Sequence, residues 1–387
     1  MAFSKRHILS ALIFSIFVFS PSAGLGASFK ESSPIDHKVE KILFQLVKCD
    51  KPGSKLPSVQ EMSPLLEFMS VSKRRDDQAN PENLNGAAGI YRAYSLDLPF
   101  TTSLRYLYNP AIKPETLYPG SLSFNRSEPD TGLLALERPL WEYLGEDLST
   151  PLVLRGRETE EIAPHLQTGT YFRYGLNRLV VLLKHEGKPM LLDISWQDGE
   201  SCEGKKGSAL GPAGNWDFVY TDAAGAASGL DLGNTRIYNS VSVTLFYPQG
   251  ENRTGYSLFR WMKAGVGGLN VVKAKHIIAG ADSAVNGLMS VIGRENRPTP
   301  EQLAEIGRKT RAMDDAALLA SLSEYSAALS ELAKTDPVLS SGDFQEVLSG
   351  GSYGQAMPRA RLESLVAKNE LKRLLGKPVL GLDDKDG

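Results

Sequence analysis

The pattern of apolar positions divides the chain into a helical beginning, a β-rich middle and a helical end. Apolar residues recur at helical spacing in IDHKVEKILFQLVK and again from Val59 to Val71, which predicts two amphipathic helices. The polar stretch KRRDDQANPENLNGAAG follows them and predicts a loop. We therefore assign residues 28–89 to an N-terminal helical segment.

The middle of the chain has the pattern of β-strands. From Ile90 to about Tyr256, short runs rich in Val, Leu, Tyr, Phe and Thr alternate with Pro, Gly and Asn. The segment NRLVVLLKHEGKPMLLDISWQ predicts a hairpin with its turn near residues 186–188, and its run Leu179–Leu183 is apolar on both faces, as in a strand buried on two sides. The run SVSVTLFY predicts a strand with one buried and one half-exposed face. Residues 90–263 form the predicted β-rich core domain.

Helical spacing returns after Gly268. Thr299 precedes Pro300 and is followed at the third position by Gln302, which is the pattern of a capping box. The predicted helices cover residues 269–291, a segment starting at Pro300, 314–334 and 359–375. We assign residues 264–376 to a C-terminal helical region and 377–387 to a flexible tail.

These segments predict an α+β fold with N-terminal helices, a central mainly antiparallel β-sheet region and a C-terminal helical segment packed on it. No period of 20 to 50 residues repeats, which argues against solenoids and propellers. The C-terminal helices either cover the protein's own sheet or mediate assembly. We favour internal packing because amphipathic helices usually bury their apolar stripe within the chain.

The N-terminus predicts export. Residues 1–27 contain Lys5 and Arg6, an apolar run from Ile8 to Phe19 and then small residues, which is the pattern of a signal peptide. A retained membrane anchor is the alternative, but this run is shorter than the roughly twenty residues that span a bilayer. We expect a soluble periplasmic or extracellular protein that is not membrane-embedded after signal cleavage.

Charge and cysteine content narrow the classes of partner. The formal net charge is -2 and no Lys/Arg stripe is present, which argues against a nucleic acid partner. Two cysteines in an exported chain predict one disulfide between Cys49 and Cys202, with two free thiols as the alternative. Neither cysteine belongs to a C-x-x-C pair, so we predict no metal and no cofactor.

One motif suggests a catalytic serine. The segment LSGGSYGQA places Gly350, Ser352 and Gly354 in the spacing of a hydrolase elbow. That motif requires an acid and a histidine later in the chain, and no histidine follows Ser352. We interpret this segment as a glycine-rich loop between helices and predict no catalytic residue in it.

Acidic residues cluster in the β-rich part, at Glu158, Glu160 and Glu161 and again from Asp193 to Glu203. The second cluster lies beside tryptophans, an arrangement that suits ligand binding because an aromatic ring offers a flat apolar face next to polar groups. The candidate ligand-binding residues are Trp196, Asp198, Glu200 and Trp216, with a core position for Trp196 and solvated loop charges for the acids as the alternative.

Two functions follow as hypotheses. The first is a noncatalytic binding or structural protein of the cell envelope or extracellular space, with a small molecule, a glycan or a protein as its ligand. The alternative is a secreted hydrolase of carbohydrate or peptide bonds that uses carboxylates of the 158–203 segment, since glycoside hydrolysis needs two nearby carboxyl groups.

Overall fold

The predicted α+β class is confirmed. A computed structural model of the chain describes residues 35–51, 53–70, 80–164, 169–224, 235–340, 342–348, 353–355 and 357–381. Within this part of the chain, helices come first, antiparallel strands occupy the middle and helices follow. Residues 1–27, which carry the predicted signal peptide, lie outside the described residues, and so do Gly350 and Ser352.

Most of the helices at the two ends of the chain form where apolar spacing and capping residues predict them. In chain order the helices are α1 (His37–Val47), α2 (Val59–Ser70), α3 (Phe100–Leu107), α4 (Pro114–Leu117), α5 (Ala274–Ile292), α6 (Pro300–Ala312), α7 (Asp315–Ser321), α8 (Ser323–Leu332), α9 (Gly342–Leu348) and α10 (Arg359–Leu374). Helices α3 and α4 lie within the predicted β-rich part, and the sequence pattern does not predict α9. The predicted capping box is confirmed, because Thr299 and Gln302 each bond the other's backbone at the start of α6.

The strands are β1 (Ala88–Leu96), β2 (Leu122–Ser127), β3 (Leu152–Ile162), β4 (Thr170–Tyr171), β5 (Arg173–His185), β6 (Lys188–Asp198), β7 (Lys205–Leu210), β8 (Asp217–Ala224), β9 (Thr235–Pro248) and β10 (Thr254–Val266). Seven of them pair in the order β1-β10-β9-β6-β5-β3-β2, and the other three form a small sheet in the order β4-β7-β8. Every pair is antiparallel. The predicted hairpin is β5–β6, with Glu186 and Gly187 in its turn.

The first face of the large sheet is apolar and lies under α1 and α2. Side chains of both helices pack against the inward residues of β5, β6, β9 and β10 in one buried cluster. Trp196 belongs to this cluster, and its indole nitrogen donates to the Val47 carbonyl at 2.7 Å. The hydrophobic effect on this face therefore holds the N-terminal helices to the sheet.

The second face is apolar only at its two sides. Helix α3 packs on Val180 and Leu182 at one side, and α5 packs on Ile90 and Leu258 at the other. Between these patches the sheet carries polar and charged side chains. The candidate site lies in this central region.

Helix α10 contacts the sheet through charged residues. Arg361 donates to Glu161 at 3.0 Å, and the Lys372 ammonium donates to Asp217 at 2.6 Å, with all four side chains buried. The sequence pattern predicts Leu374 in the buried stripe, but Leu374 is exposed. The other members of the predicted stripe, Leu362, Leu365 and Val366, are buried, and the buried ion pairs on the helix are a feature that apolar periodicity does not reveal.

The predicted disulfide is wrong, because both cysteines are free. The Cys49 thiol is buried next to α1 and donates to the Gln45 carbonyl at 3.4 Å. The Cys202 sulfur accepts from the Arg173 backbone N–H at 3.1 Å. Each sulfur thus has its own local partners in a different part of the fold.

Three further expectations differ from the structure. Phe246 and Thr244, predicted on a half-exposed face of β9, are buried, because α3 covers Phe246. The predicted helix 314–334 is divided at Leu322, whose φ of -104° and ψ of 4° interrupt the helical backbone. The helix predicted from Leu269 begins at Ala274, because a turn with glycines of positive φ precedes it.

Candidate functional site

A row of polar side chains crosses the centre of the second face. The strand register places Arg178 opposite Ser195, Ser195 opposite Ser242, and Ser242 opposite Arg260. Directly paired residues of an antiparallel sheet point to the same face, so these four side chains share one surface. Together with neighbouring acids of β3 and β6 they form what we call the polar strip: Glu158, Glu160, Arg178, Asp193, Ser195, Ser242 and Arg260.

Arg178 is fully neutralised at one end of the strip. Its guanidinium donates to Asp193 from Nε at 3.0 Å and from Nη2 at 2.5 Å, and to Glu158 from Nη1 at 2.9 Å. Asp193 also accepts from the Tyr108 hydroxyl at 2.7 Å, and Glu158 accepts from the Asn125 amide at 3.0 Å. Arg178 is 25% exposed and Glu158 only 11% exposed, so this end is a satisfied, largely buried ion-pair network.

Arg260 is the contrasting cation of the strip. It forms no ion pair with any described residue, and its Nε is buried without a hydrogen-bond partner in that part of the chain. A guanidinium carries five N–H donors in a planar fork, and a buried donor without an acceptor costs free energy. Arg260 is therefore the group of the strip best suited to receive an acceptor from outside the chain.

The third carboxylate of the strip, Glu160, has an altered protonation equilibrium. Burial raises the pKa of Glu160 above its usual range, while a hydrogen bond from the Tyr174 hydroxyl and the positive charge of Arg260 partly oppose that increase. Arg260 thus acts electrostatically on a residue of β3 although β10 is four strands away in the sheet order. By the strand register, both side chains point to the second face of the sheet.

Tyrosines border the strip. The rings of Tyr94 and Tyr256 stack with their centroids 5.4 Å apart, and Tyr256 stacks on Phe246 at 4.8 Å. Burial raises the pKa of Tyr256 to about 12, so its hydroxyl remains protonated at neutral pH. Because Tyr256 stacks between Tyr94 and Phe246, its ring faces are covered, and the border supplies neutral hydroxyl groups next to two arginines and three carboxylates.

The candidate residues Trp196, Asp198, Glu200 and Trp216 lie in different surroundings. Trp196 is buried on the first face of the sheet, whereas Trp216 is buried in a cluster that includes parts of α5 and α6. Asp198 is exposed and accepts from Arg157 at 2.7 Å, and Glu200 is exposed 4.0 Å from Arg236. The structure does not gather these four side chains into one cavity, and ligand binding by any of them stays a prediction.

The sequence contains a signal for the strip. Arg260 lies between Phe259 and Trp261, two residues that are fully buried on the first face. Because side chains alternate along a strand, a cation between two buried aromatic residues must point to the opposite face. Arg178 carries a weaker form of this signal next to the apolar run that starts at Leu179. Neither position identifies its partners, since the register between distant strands sets them.

No protein-family model and no curated protein matches this chain. None of the helices in the described ranges has both the length and the apolar composition needed to cross a membrane. The candidate site is thus defined by its geometry and electrostatics alone.

Proposed function

We propose that this chain is an exported, noncatalytic binding protein of the cell envelope or extracellular space, and that it holds a small anionic ligand over the polar strip. Arg260 carries this proposal, because it is a half-buried guanidinium without an ion-pair partner among the described residues. Carboxylate and phosphate groups match the planar fork of arginine and accept two parallel hydrogen bonds from it.

The rest of the strip suits the uncharged part of such a ligand. The Ser195 and Ser242 hydroxyls lie 2.7 Å apart and offer both donors and acceptors. Tyr94 adds aromatic surface at the border, which favours a sugar or another ligand with a flat apolar face. We therefore favour a carboxylated or phosphorylated sugar as the ligand class.

A second function, carboxylate-dependent hydrolysis, has one observation in its favour. Glu158 and Glu160 lie two residues apart and point to the same face of β3, roughly 7 Å apart along the strand. The pKa of Glu160 is raised, as a general acid requires. However, Glu158 and Asp193 are both bound to Arg178, which leaves Glu160 without a second available carboxylate. For this reason we rank binding above hydrolysis.

Ligand-induced changes in melting temperature test the proposal, because a ligand that binds the folded state raises it by mass action. The probes are glucuronic acid and glucose 6-phosphate, with glucose as the uncharged comparison. We expect an anionic probe to raise the melting temperature, Arg260→Gln to remove that increase, and Arg157→Gln to retain it. Arg157 is a suitable control because its exposed ion pair with Asp198 lies at the surface.

A flat response to both anionic probes, or an unchanged response in Arg260→Gln, would contradict the proposed site. Turnover of a polysaccharide or peptide that is lost in Glu160→Gln would instead support the hydrolase. The two functions therefore give different results with the same set of variants.

A further inference from the structure

A histidine and two glutamates meet where α2 crosses the β5–β6 turn, on the first face of the large sheet. Glu67 belongs to α2, His185 is the last residue of β5, and Glu186 is the first residue of the turn. One potential ligand atom from each residue lies within 4.8 Å of the other two. This cluster is separate from the polar strip, which lies on the opposite face.

His185 contributes a buried imidazole nitrogen to the cluster. The residue is only 9% exposed, and its Nε2 is buried without a hydrogen-bond partner among the described residues. That nitrogen points towards Glu67, whose Oε1 lies 4.0 Å away, too far for a hydrogen bond. A buried imidazole nitrogen without a hydrogen-bond partner, 4.0 Å from one carboxylate and in a cluster with a second, leaves room for a metal ion among the three residues.

We propose that Glu67, His185 and Glu186 bind one Zn²⁺ ion that joins α2 to the β5–β6 turn. A set of one imidazole and two carboxylates suits zinc, whereas magnesium and calcium prefer oxygen ligands alone. Zinc bonds of about 2.0 to 2.2 Å in a tetrahedral site place neighbouring ligand atoms roughly 3.4 Å apart. The ligand atoms now lie within 4.8 Å of one another, with 4.0 Å between His185 and Glu67, so the side chains move together by up to about 1.4 Å when the ion binds.

The two glutamates are free to make this movement. The Glu67 side chain is 59% exposed and Glu186 is exposed, so rotation of either side chain requires no rearrangement of the core. Glu186 forms no ion pair with a described residue, and Glu67 accepts from the Ser63 hydroxyl at 2.7 Å. Lys188, paired with His185 across the turn, bonds neither carboxylate in the described structure and leaves both available to a cation.

Isothermal titration of the untagged protein with Zn²⁺ tests the site. We expect one bound ion per chain and a higher melting temperature in its presence, since binding to the folded state stabilises it. Glu186→Gln removes a ligand at an exposed turn without touching the core, and we expect it to weaken binding at least about tenfold. His185→Gln should abolish binding at this site, and Mg²⁺ should give no comparable stabilisation.

His37→Gln is the matched control, because His37 is an exposed histidine at the start of α1, away from the cluster. It should bind zinc with the affinity of the unaltered protein. The proposal is overturned if the unaltered protein binds no zinc, or if Glu186→Gln and His185→Gln both bind it with undiminished affinity. Should His185→Gln fail to fold, the comparison of Glu186→Gln with His37→Gln still decides the question.

Discussion

The ion pairs of two arginines on neighbouring strands contribute differently to folding stability. Arg178 on β5 contacts two largely buried carboxylates, whereas Arg157 on β3 pairs with Asp198 at the surface and is 57% exposed. Removing one partner of a buried pair leaves an uncompensated charge in a region of low dielectric constant. Solvent screens the exposed pair, so losing it has little effect on stability.

We therefore expect Arg178→Ala to lower the free energy of unfolding by about 3 to 5 kcal/mol, because Asp193 and Glu158 lose their counter-charge. Arg157→Ala should lower it by less than about 1 kcal/mol. Urea unfolding followed by circular dichroism measures both values. Equal small losses in the two variants would show that water reaches the Arg178 network freely.

At the scale of single elements, α10 shows how charge can lie inside a fold. Lys368 is buried, and burial lowers its pKa to about 8, although the carboxylates of Glu115, Asp217 and Glu161 oppose that change. Its ammonium donates to the Leu122 carbonyl on β2. Folding therefore places a positive charge at neutral pH in surroundings that favour the neutral amine.

This gives a pH-dependent prediction. The folded pKa of about 8 lies below the ordinary lysine value of about 10.4, so between these two values the unfolded chain binds more protons. The contribution of Lys368 to stability is accordingly least favourable below pH 8 and improves as the pH rises towards about 10. Lys368→Met should be more stable than the unaltered protein at pH 7, by up to about 3 kcal/mol, and this difference should shrink by pH 10.

Urea unfolding at several pH values measures that difference, with Lys334→Met as the control. Lys334 is exposed on the surface beside Glu331, so its substitution should leave the pH dependence unchanged. Buried tyrosines affect stability at high pH in all three proteins alike, and comparing the variants cancels their contribution. A difference between Lys368→Met and the unaltered protein that stays constant from pH 7 to pH 10 would contradict the lowered pKa.

Local patterns predicted about half of the elements, and non-local contacts explain part of what they missed. The apolar run Leu179–Leu183 and the capping residue Thr299 act through neighbours in sequence, and both predictions are confirmed. The buried surface of α10 depends on Glu161 and Asp217, which are 200 and 155 residues from their partners Arg361 and Lys372. The unpaired state of Arg260 likewise follows from the register of distant strands.

At the scale of the whole molecule, the C-terminal helices are part of the core. Helix α10 contacts α4, α6, α7 and β2, and its Glu363 binds Lys113 at 2.8 Å. These contacts support internal packing of the C-terminal region over a role in assembly. Internal packing and an assembly role both predict an effect of deleting these helices. Internal packing predicts an unfolded remainder, whereas an assembly role predicts a folded remainder with a changed oligomeric state.

We expect a chain that ends at Pro358 to lose cooperative unfolding, because Glu161, Asp217 and Lys113 lose their buried partners. Near-ultraviolet circular dichroism and size-exclusion chromatography measure the result. Arg373→Ala, which removes only an exposed pair with Glu370 on the same helix, should leave both measurements unchanged. A truncated chain that stays folded but changes its oligomeric state would favour the assembly role.

Strands β1 and β10 are far apart in the sequence, so during synthesis β1 is made long before the strand that pairs with it. Strand β1 ends at Leu96, but β10, the strand beside it among the described residues, begins at Thr254. At ribosomal speeds of about 5 to 20 residues per second, the intervening chain takes roughly ten to thirty seconds to appear. During that interval the apolar sides of α1 and α2 have no completed sheet to cover, so the nascent chain depends on whatever protects exposed apolar surface until β10 is made.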